Sequence, residues 1–535
     1  LNIPRLLQDK SRLDDLYYEN GYIFNSIAMT EKRDQEALSI SYTVTIVERD
    51  RAHIENLAFK GNTKTKDYVL ARELPLEVGD IFSKAKILEG LRNLYNLQYF
   101  SSVEPQMLPG SDENLMDLVI NVEEQSTAEV QFGVTLSGLG SNSTAFPLSG
   151  LVKWNEKNFL GMGKTVGVEL TISPSDQEVT LSFLDNWLFG KRIPGGLNLA
   201  FTHKAVATAM DFYGTQFPDG VPDPYESEAE YNNSTTSASD YYKMYYDYYS
   251  ITLGANTGYS RHIPLGDFGL SGGFASTLGF IGYDETKFRP ASKDIRDDAN
   301  KWLWTNKVPL RVYLNALDRW YNPTAGFYAS QKATWAGFIE SLEAQKYIRT
   351  DTKLEAYLSL FNIPVFEGWN FQWVLGLHSA FSAILPQPGS SEAKVLSADD
   401  LRIDGTFVGR GWSSLYSMDN GRTLWENWVE LRMPILKDYF WLDGFVDVDV
   451  LRTEEGLVTV TGSTAAANSA YPNFSSLSWE NLVMSMGLGI RFTIVQFPFR
   501  FYFAKRFSFD GSGINWNPAG SSGMDFVISI SQGLN

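Results

Sequence analysis

Residues 424–434 read "LWENWVELRMP", a stretch in which charged and apolar side chains alternate with period two. Glu430 and Arg432 share one face and Val429 and Leu431 share the other, because successive side chains of a β-strand point to opposite faces. Strands of soluble sandwiches also alternate, but they typically run for about five or six residues. Strands of about ten residues with one charged and one strongly apolar face are typical of a transmembrane barrel with a water-filled lumen.

The same alternation recurs between residues 128 and 535, where no segment has the periodicity of a long helix. It is clearest in "YIRTDTKLEAYLSL" (347–360), "YFWLDGFVDVDV" (439–450) and "FPFRFYFAKRF" (497–507). Short connections alternate with long polar ones, as they do in bacterial outer-membrane barrels. The pattern predicts an all-β transmembrane barrel over residues 127–535, with about 16 antiparallel strands, a number within the range of such barrels.

The first 126 residues have a different, repeated organisation. Residues 51–126 read as strand, helix, helix, strand and strand, and Ser83 is a plausible cap for the second helix. The apolar stripe of that helix consists of Ile87, Leu88, Leu91, Leu94 and Tyr95. Residues 1–50 repeat the last three elements. We predict a complete α+β module at 51–126, the last before the barrel, and a partial copy at 1–50 whose chain extends upstream.

Composition argues against several classes of function. The 535 residues include no cysteine, so disulfides, thiolate metal sites and cysteine nucleophiles are excluded. A formal net charge of −18 opposes nucleic-acid binding. The four histidines are scattered without metal-ligand spacing, and "GMGKT" (161–165) lacks the first glycine of a phosphate loop. We therefore expect no catalytic site, no cofactor and no metal.

Six stretches resemble known families. Three stretches resemble the POTRA domain, which is the periplasmic module of outer-membrane assembly factors. They are "IENLAFKGNTKTKDYVLARELPLEVGD" (54–80), "LRNLYNLQYFSSVEP" (91–105) and "DLVINVEE" (117–124). Three others resemble the barrel of the BamA superfamily: "WNEKNFLGMGK" (154–164), "LNALDRWYNPTAGFY" (314–328) and "VELRMPI" (429–435). Together these resemblances cover nearly the whole chain.

The resemblance implies a location and a function. It places the barrel in the bacterial outer membrane and the POTRA modules in the periplasm, and it implies insertion and folding of other outer-membrane β-barrel proteins. The implied partners are these client proteins, periplasmic or lipoprotein accessory subunits, and membrane lipid. The alternatives are a two-partner secretion translocator that exports a polypeptide through the barrel, a TamA-like assembly factor, and a passive porin, which the periplasmic repeat disfavours.

Insertion of a client requires a place where client strands can pair. A barrel that closes weakly between its first and last strands exposes unpaired backbone groups to which a client strand can add. We predict the first strand near residues 128–137 and the last near 524–532. The lipid-facing side chains expected to line this lateral seam are Val130, Phe132, Val134, Phe526, Ile528 and Ile530.

A long polar loop carries a second candidate site. In the superfamily the sixth external loop folds into the barrel and carries a V-R-G-F/Y-like motif, which "VGRGW" (408–412) resembles. The motif residues are Gly409, Arg410, Gly411 and Trp412. The resemblance implies carboxylate partners on the inner wall of the next two strands, and period two independently turns Glu430 and Asp443 to the polar face. Taken alone, "GRGW" also fits a solvated loop tip.

A third candidate site lies on the complete module. The resemblance implies a surface for accessory proteins there, with Glu73 and Glu77 as the candidate residues. Relatives that dock a lipoprotein carry an acidic residue immediately before the glycine that matches Gly79. Val78 occupies that position in this chain, so docking of the same kind of partner is left open.

Overall fold

The computed structural model describes most of the chain. The described residues are 3–34, 39–136, 148–174, 176–209, 243–285, 290, 293–319, 322–339, 343–366, 369–396, 399–405, 407–412, 421–436, 440–454, 456–460, 464–466, 472–494, 497–510, 513–516, 518 and 524–530. No helix in these segments is long and apolar enough to cross a bilayer. The chain forms two compact units, residues 1–129 with 154–166, and residues 130–153 with 167–535.

Two α+β segments precede the barrel strands in the sequence. The first comprises α1 (Ile3–Glu19), β1 (Ser26–Asp34) and β2 (Ser39–Val47), with β1 antiparallel to β2. The second comprises β3 (His53–Lys60), α2 (Asp67–Ala71), α3 (Lys84–Asn96), β4 (Phe100–Pro109) and β5 (Leu115–Glu124). Its sheet has the order β3-β5-β4, with β3 parallel and β4 antiparallel to β5. The predicted order of elements is confirmed in both segments.

Helix α3 begins as predicted but buries a narrower face than predicted. Ser83 caps the helix, because its side chain accepts the backbone N–H of Lys86. Ile87 and Leu94 are buried in the core of the segment. These two residues lie seven positions apart, on one line along the helix.

Two residues of the predicted apolar stripe point outward instead. Leu88 is 55% exposed and Tyr95 is 63% exposed. The inner face of the helix is centred on Gly90, where an added Cβ would lie only 2.3 Å from a side-chain carbon of Leu74. This close approach fixes the rotation of α3 about its axis and turns Leu88 and Tyr95 away from the core.

The remaining strands form a closed barrel. In chain order they are β6 (Ala128–Leu136), β7 (Leu148–Glu156), β8 (Lys164–Ile172), β9 (Asp176–Asp185), β10 (Gly195–Ala209), β11 (Lys243–Ile263), β12 (Gly266–Gly282), β13 (Trp302–Asn315), β14 (Gly326–Ala336), β15 (Tyr347–Phe366), β16 (Trp369–Leu385), β17 (Gly421–Leu436), β18 (Phe440–Thr453), β19 (Gly456–Val458), β20 (Thr464–Ala466), β21 (Val483–Ile494), β22 (Phe497–Asp510), β23 (Gly513–Asn515) and β24 (Asp525–Ile530). Helix α4 (Lys293–Asp298) lies between β12 and β13.

Sixteen of these described strands have six or more residues, which confirms the predicted number, since β19, β20 and β23 have only three residues each. The barrel closes where its last strand, β24, is the neighbour of its first, β6. The first strand begins at Ala128, as predicted. The described part of the last strand runs from Asp525 to Ile530.

The barrel wall has one apolar and one polar face. On β15, Leu354 and Leu358 point outward and are more than half exposed, whereas Glu355 is buried inside. On β17, Val429 is exposed on the outer face and Glu430 is buried on the inner face. The predicted faces are confirmed on these strands, as expected if the apolar face meets lipid and the polar face lines the lumen.

Single cysteines test these faces directly. A cysteine replacing Leu354 or Leu431 is expected to react with thiol probes confined to the membrane, because both positions lie on the outward face. A cysteine replacing Lys353 or Glu430 is expected to resist those probes. Labelling in liposomes gives the answer by gel shift, and the opposite pattern would contradict the strand register, because a slip of one residue moves every side chain to the other face.

Candidate functional site

The connection between β16 and β17, the eleventh and twelfth barrel strands, contains the "VGRGW" motif. Its described residues 386–396, 399–405 and 407–412 are called the inner loop below. Asp404 folds the segment before the motif, because its Oδ1 accepts the backbone N–H groups of Phe407 and Val408. The N–H of Gly411 then donates to the carbonyl of Gly405 at 2.8 Å, which closes a compact turn.

Both glycines of the motif are required by their surroundings. Gly409 has φ +61° and Gly411 has φ +88°, values in the left-handed region that residues with a Cβ disfavour. An added Cβ on Gly409 would also lie 2.5 Å from the Ile403 side chain and 3.3 Å from Asp449 Oδ2. The glycines therefore allow the backbone to turn close to the wall and to direct Arg410 at it.

Arg410 joins the inner loop to β17 and β18. Its Nη1 lies 2.7 Å from Glu430 Oε1, and its Nε lies 2.8 Å from Asp447 Oδ2. Its guanidinium lies 3.7 Å from the ring centroid of Phe445 and 4.9 Å from that of Tyr502. Charge-assisted hydrogen bonds and cation–π contacts thus hold a side chain that is 4% exposed.

Glu430 is the centre of a larger buried network. It accepts hydrogen bonds from Arg410, from Arg432 at 2.8 Å and from Arg491 at 3.1 Å. Arg491 also lies 2.9 Å from Asp443. Because an isolated buried charge is costly, this alternation of opposite charges is what allows so many ionised groups inside the barrel. Among the described residues, no group of histidine, aspartate and glutamate side chains could hold a metal ion.

The second carboxylate on Arg410 is Asp447, whereas the sequence predicted Asp443. Glu430 lies opposite Phe445 in the β17–β18 register, so Asp443 and Asp447 are two residues to either side of that point. Arg491 occupies the side of Asp443. Arg410 takes the other side, which is nearer to the end of β18 from which the inner loop enters the barrel.

Trp412 extends the attachment to the next two strands. Its indole is fully buried, and its Nε1 donates to the carbonyl of Met484 on β21 at 3.0 Å. Arg506 of β22 lies 5.6 Å from a ring centroid of Trp412. The motif therefore contacts four successive barrel strands, β17, β18, β21 and β22.

The inner loop has a second attachment, which the sequence did not reveal. Asp399 Oδ2 lies 2.7 Å from Lys307 Nζ on β13, and Lys394 lies 2.9 Å from Asp298 at the end of α4. Lys307 and Asp399 are 92 residues apart, so no local pattern could have linked them. The described part of the inner loop is therefore attached to β13 as well as to the strands from β17 to β22.

Exchanging the two charges of the β13 attachment tests whether it holds the loop. Lys307→Ala is expected to speed cleavage of the inner loop by external protease, because Asp399 loses its cation. The double variant Lys307→Asp, Asp399→Lys is expected to restore protection, since it keeps the pair with reversed sign. If the double variant is cleaved faster than Lys307→Ala, the side chains at positions 307 and 399 do not form a stabilising pair.

The seam residues lie on the two strands that close the barrel. Val130 and Phe132 of β6 are exposed on the outer face, and Phe132 is 69% exposed. Phe526 of β24 contacts Phe501 and Phe503 of β22, with ring centroids 6.3 and 5.0 Å away. The side chains of Val134, Ile528 and Ile530 lie outside the described residues.

The two acidic residues predicted for a partner surface differ in exposure. Glu77 is exposed, as such a surface requires. Glu73 is only 5% exposed, because it follows α2 and packs into the module, so it cannot contribute to an open surface. Burial at the end of a short helix is not visible in residue spacing, which is why the prediction for Glu73 was wrong.

Glu124 is a structural carboxylate that was not predicted from the sequence. It closes the loop before α2 by accepting backbone N–H groups of Thr63, Lys64 and Thr65 at 3.0, 2.9 and 2.6 Å. Partial burial opposes its ionisation, but the hydrogen bonds from Thr65, Thr63 and Lys64 outweigh burial and lower the pKa of Glu124 to about 2. An acidic residue at the end of a central strand was the available signal.

Glu124→Gln is expected to destabilise this loop at pH 7 by roughly 1–2 kcal/mol, because hydrogen bonds to a carboxylate are stronger than those to an amide. The pKa is lowered on folding, so the contribution is fully present above the unfolded pKa of about 4.3 and is lost as the pH falls toward 2. Hydrogen exchange of the amides at 63–65 in wild type and variant measures it. A difference between the two that is independent of pH would contradict an ionised Glu124.

Two parts of the chain match known families. Residues 158–529 match the Omp85 superfamily domain, and residues 52–125 match POTRA, described as a surface antigen variable number repeat. The chain is 35% identical over 530 residues to a putative outer membrane protein assembly factor of Treponema pallidum, covering 97% of this chain and 62% of the relative. Over 176 residues it is 31% identical to the outer membrane protein assembly factor BamA of Nitratidesulfovibrio vulgaris, covering 33% of this chain and 21% of that protein. The chain thus spans less than two thirds of either relative.

Solved structures show the same architecture. BamA from Haemophilus ducreyi lacking POTRA domains 1–3 superposes with a TM-score of 0.66 at 16% identity, covering 99% of this chain and 94% of that one. CdiB from Escherichia coli superposes with a TM-score of 0.51 at 12% identity, covering 99% and 84%. At these sequence identities, the structural likeness shows a shared fold. The family is shown by the match to the Omp85 superfamily domain, which covers more than half of the chain. The chain belongs to the Omp85 superfamily, as an outer-membrane β-barrel protein with POTRA domains.

Proposed function

We propose that this protein inserts and folds β-barrel proteins in the outer membrane by adding client strands at the seam between β6 and β24. Its relatives from Treponema pallidum and Nitratidesulfovibrio vulgaris bear the name of assembly factors. The observation that carries the proposal is that the barrel closes between its first strand, β6, and its last strand, β24, so the two ends of the sheet meet at one seam.

Separation of β6 from β24 would leave two strand edges without partners. Each backbone pair lost at the seam leaves N–H and C=O groups unsatisfied, and these groups can pair with a new strand. The edge that is exposed can then hydrogen-bond to an incoming strand, as in other cases of strand addition. The outward side chains Val130, Phe132 and Phe526 supply an apolar surface beside that edge, where a client would arrive from the bilayer.

The free energy for insertion comes from the client itself in this proposal. A client strand in lipid must satisfy every backbone N–H and C=O, and it does so only when its own barrel closes. The seam supplies a temporary partner for the first strand, and each later strand pairs with the one before it. No nucleotide is needed for such a sequence of exchanges.

The POTRA segments are proposed to bring clients and accessory subunits to the barrel. We assign residues 1–50 to a partial module and 51–126 to a complete one, with the barrel from 127. In the complete module, β3 and β4 are the two edges of the sheet, where extended client segments can add. Glu77 remains the proposed contact for an accessory protein, because it is the exposed member of the predicted pair.

Reconstitution tests the function. The chain is incorporated into liposomes, and a urea-denatured β-barrel client is added from outside. We expect the client to become heat-modifiable and protease-resistant faster than it does in empty liposomes. The matched control is the same client with liposomes that carry an unrelated sixteen-stranded porin, which has a barrel without POTRA modules.

The same experiment separates assembly from export. If client folding is not accelerated, and a secreted polypeptide instead becomes protected inside the liposomes, the protein is a translocator and the assembly function is wrong. If neither happens, the proposal also fails for this chain.

A further inference from the structure

The last barrel strand, β24, packs against the inner loop and also pairs with its neighbouring strand, β22. The described inward-facing side chains of β24 are Asp525 and Val527. Asp525 Oδ2 lies 3.0 Å from Arg506 Nε on β22. The same Arg506 guanidinium lies 5.6 Å from a ring centroid of Trp412. One arginine therefore contacts both the first residue of β24 and the indole of the loop motif.

The backbone of the motif approaches β24 directly. An added Cβ on Gly411 would lie 3.0 Å from the Cβ of Ala504 and 3.5 Å from Asp525 Oδ2. The loop is thus packed against the position where Ala504 and Asp525 form the last pair between β22 and β24. There is no room at Gly411 for a side chain without moving that pair.

Val527 joins β24 to the other side chain of the motif. It is buried in a cluster with Phe445, Tyr502 and Ala504. The guanidinium of Arg410 lies over the rings of Phe445 and Tyr502. Each described inward side chain of β24 therefore packs against residues that a motif side chain also contacts.

We infer that Arg506 and Asp525 form a latch through which the seated inner loop holds β24 in the barrel. While Trp412 is buried, its indole and the Gly411 backbone confine the Arg506–Asp525 pair, and β24 stays paired with β22. When the loop leaves, that pair faces water, where an ion pair contributes little, and β24 loses this side-chain attachment to the barrel. The position of the loop thereby sets how readily the last strand is released. The inference rests on the proposed function only for the use that is made of the released strand.

Hydrogen exchange of the full chain in nanodiscs, measured by mass spectrometry without any client, tests the latch. Asp525→Asn keeps the shape of the side chain and removes its charge. Trp412→Ala leaves Arg506 and Asp525 in place and removes the loop side of the latch. Both variants are expected to speed exchange of the amides at 525–530 by about tenfold, with a smaller change elsewhere in the barrel.

A matched ion pair between two other neighbouring strands serves as the control. Lys153 of β7 and Glu169 of β8 lie 2.9 Å apart, and none of the inner-loop contacts described above involves either residue. Glu169→Gln is expected to leave exchange at 525–530 unchanged. The latch is wrong if Trp412→Ala leaves β24 exchange at the wild-type rate, or if it speeds exchange equally in every strand. Because no client is present, these outcomes do not depend on the proposed assembly function, which fails or succeeds in the liposome assay.

Discussion

Replacing Arg410 with alanine is expected to lower the free energy of unfolding of the barrel by about 3–5 kcal/mol. The substitution removes the cation that Glu430 and Asp447 share, and it leaves both carboxylates buried with fewer partners. The temperature at which the protein loses its folded migration in gel electrophoresis measures the loss. External protease measures a second consequence, because an inner loop without this attachment is expected to be cut faster.

Two further variants show whether the effect belongs to this site. Arg410→Lys is expected to recover only part of the stability, because an ammonium group cannot span two carboxylates as a planar guanidinium does. Arg349→Ala is the matched control. Arg349 also points into the lumen and lies 2.8 Å from one carboxylate, Asp351, but it is about one third exposed, so its loss should cost no more than about 1 kcal/mol.

A double-mutant cycle identifies the partner. Glu430→Gln is expected to destabilise the barrel in the same direction as Arg410→Ala, because Glu430 accepts hydrogen bonds from three arginines. Combining the two substitutions should cost less than the sum of the single effects, since both remove one shared interaction. Strict additivity would mean that the two side chains do not interact in the folded protein.

A covalent link between β6 and β24 is expected to reduce client insertion to the rate seen with empty liposomes. The proposed mechanism needs these strands to separate, and a disulfide prevents that without altering the rest of the wall. Pairs with one cysteine at 130–132 and one at 526–528 are screened for complete oxidation, which requires Cα atoms about 4.4–6.8 Å apart. Reduction should restore the rate in the same sample.

The control disulfide closes a pair of strands that has no proposed role. Leu354 of β15 and Ser379 of β16 lie opposite each other and both are on the outer face, so cysteines there can bridge two well-paired strands. This variant is expected to insert clients at the rate of the parent protein. Normal insertion by the barrel linked between β6 and β24 would eliminate lateral strand addition as the mechanism.

The sequence predicted the faces of the barrel better than it predicted the contacts between them. Period two alone directs Glu430, Asp443 and Asp447 into the lumen, because a strand has only two faces. It contains no information on which carboxylate meets a loop that returns from elsewhere. That choice depends on the depth of the loop and on Arg491, which already occupies Asp443.

Long-range attachment and the rotation of a helix were invisible for a related reason. Lys307 and Asp399 belong to different segments, and each alone reads as an ordinary polar residue. Leu88 and Tyr95 fit the helical period, yet the contact between Gly90 and Leu74 selects a narrower face for the core. Local patterns fix the type of an element, whereas packing against a distant element fixes which of its residues are used.

The route of the inner loop has a consequence for the permeability of the cell envelope. Barrels of sixteen to eighteen strands leave an aqueous channel when nothing occupies them, and porins use it to admit nutrients. Here a chain segment attached to Lys307 of β13 and to Glu430 and Asp447 of β17 and β18 lies inside that channel. We expect low ionic conductance in planar bilayers for the native protein and a rise when Lys307 and Arg410 are both replaced. Cells that carry this double variant should admit bulky antibiotics that the intact envelope excludes. The inner loop therefore also helps to maintain the permeability barrier of the outer membrane.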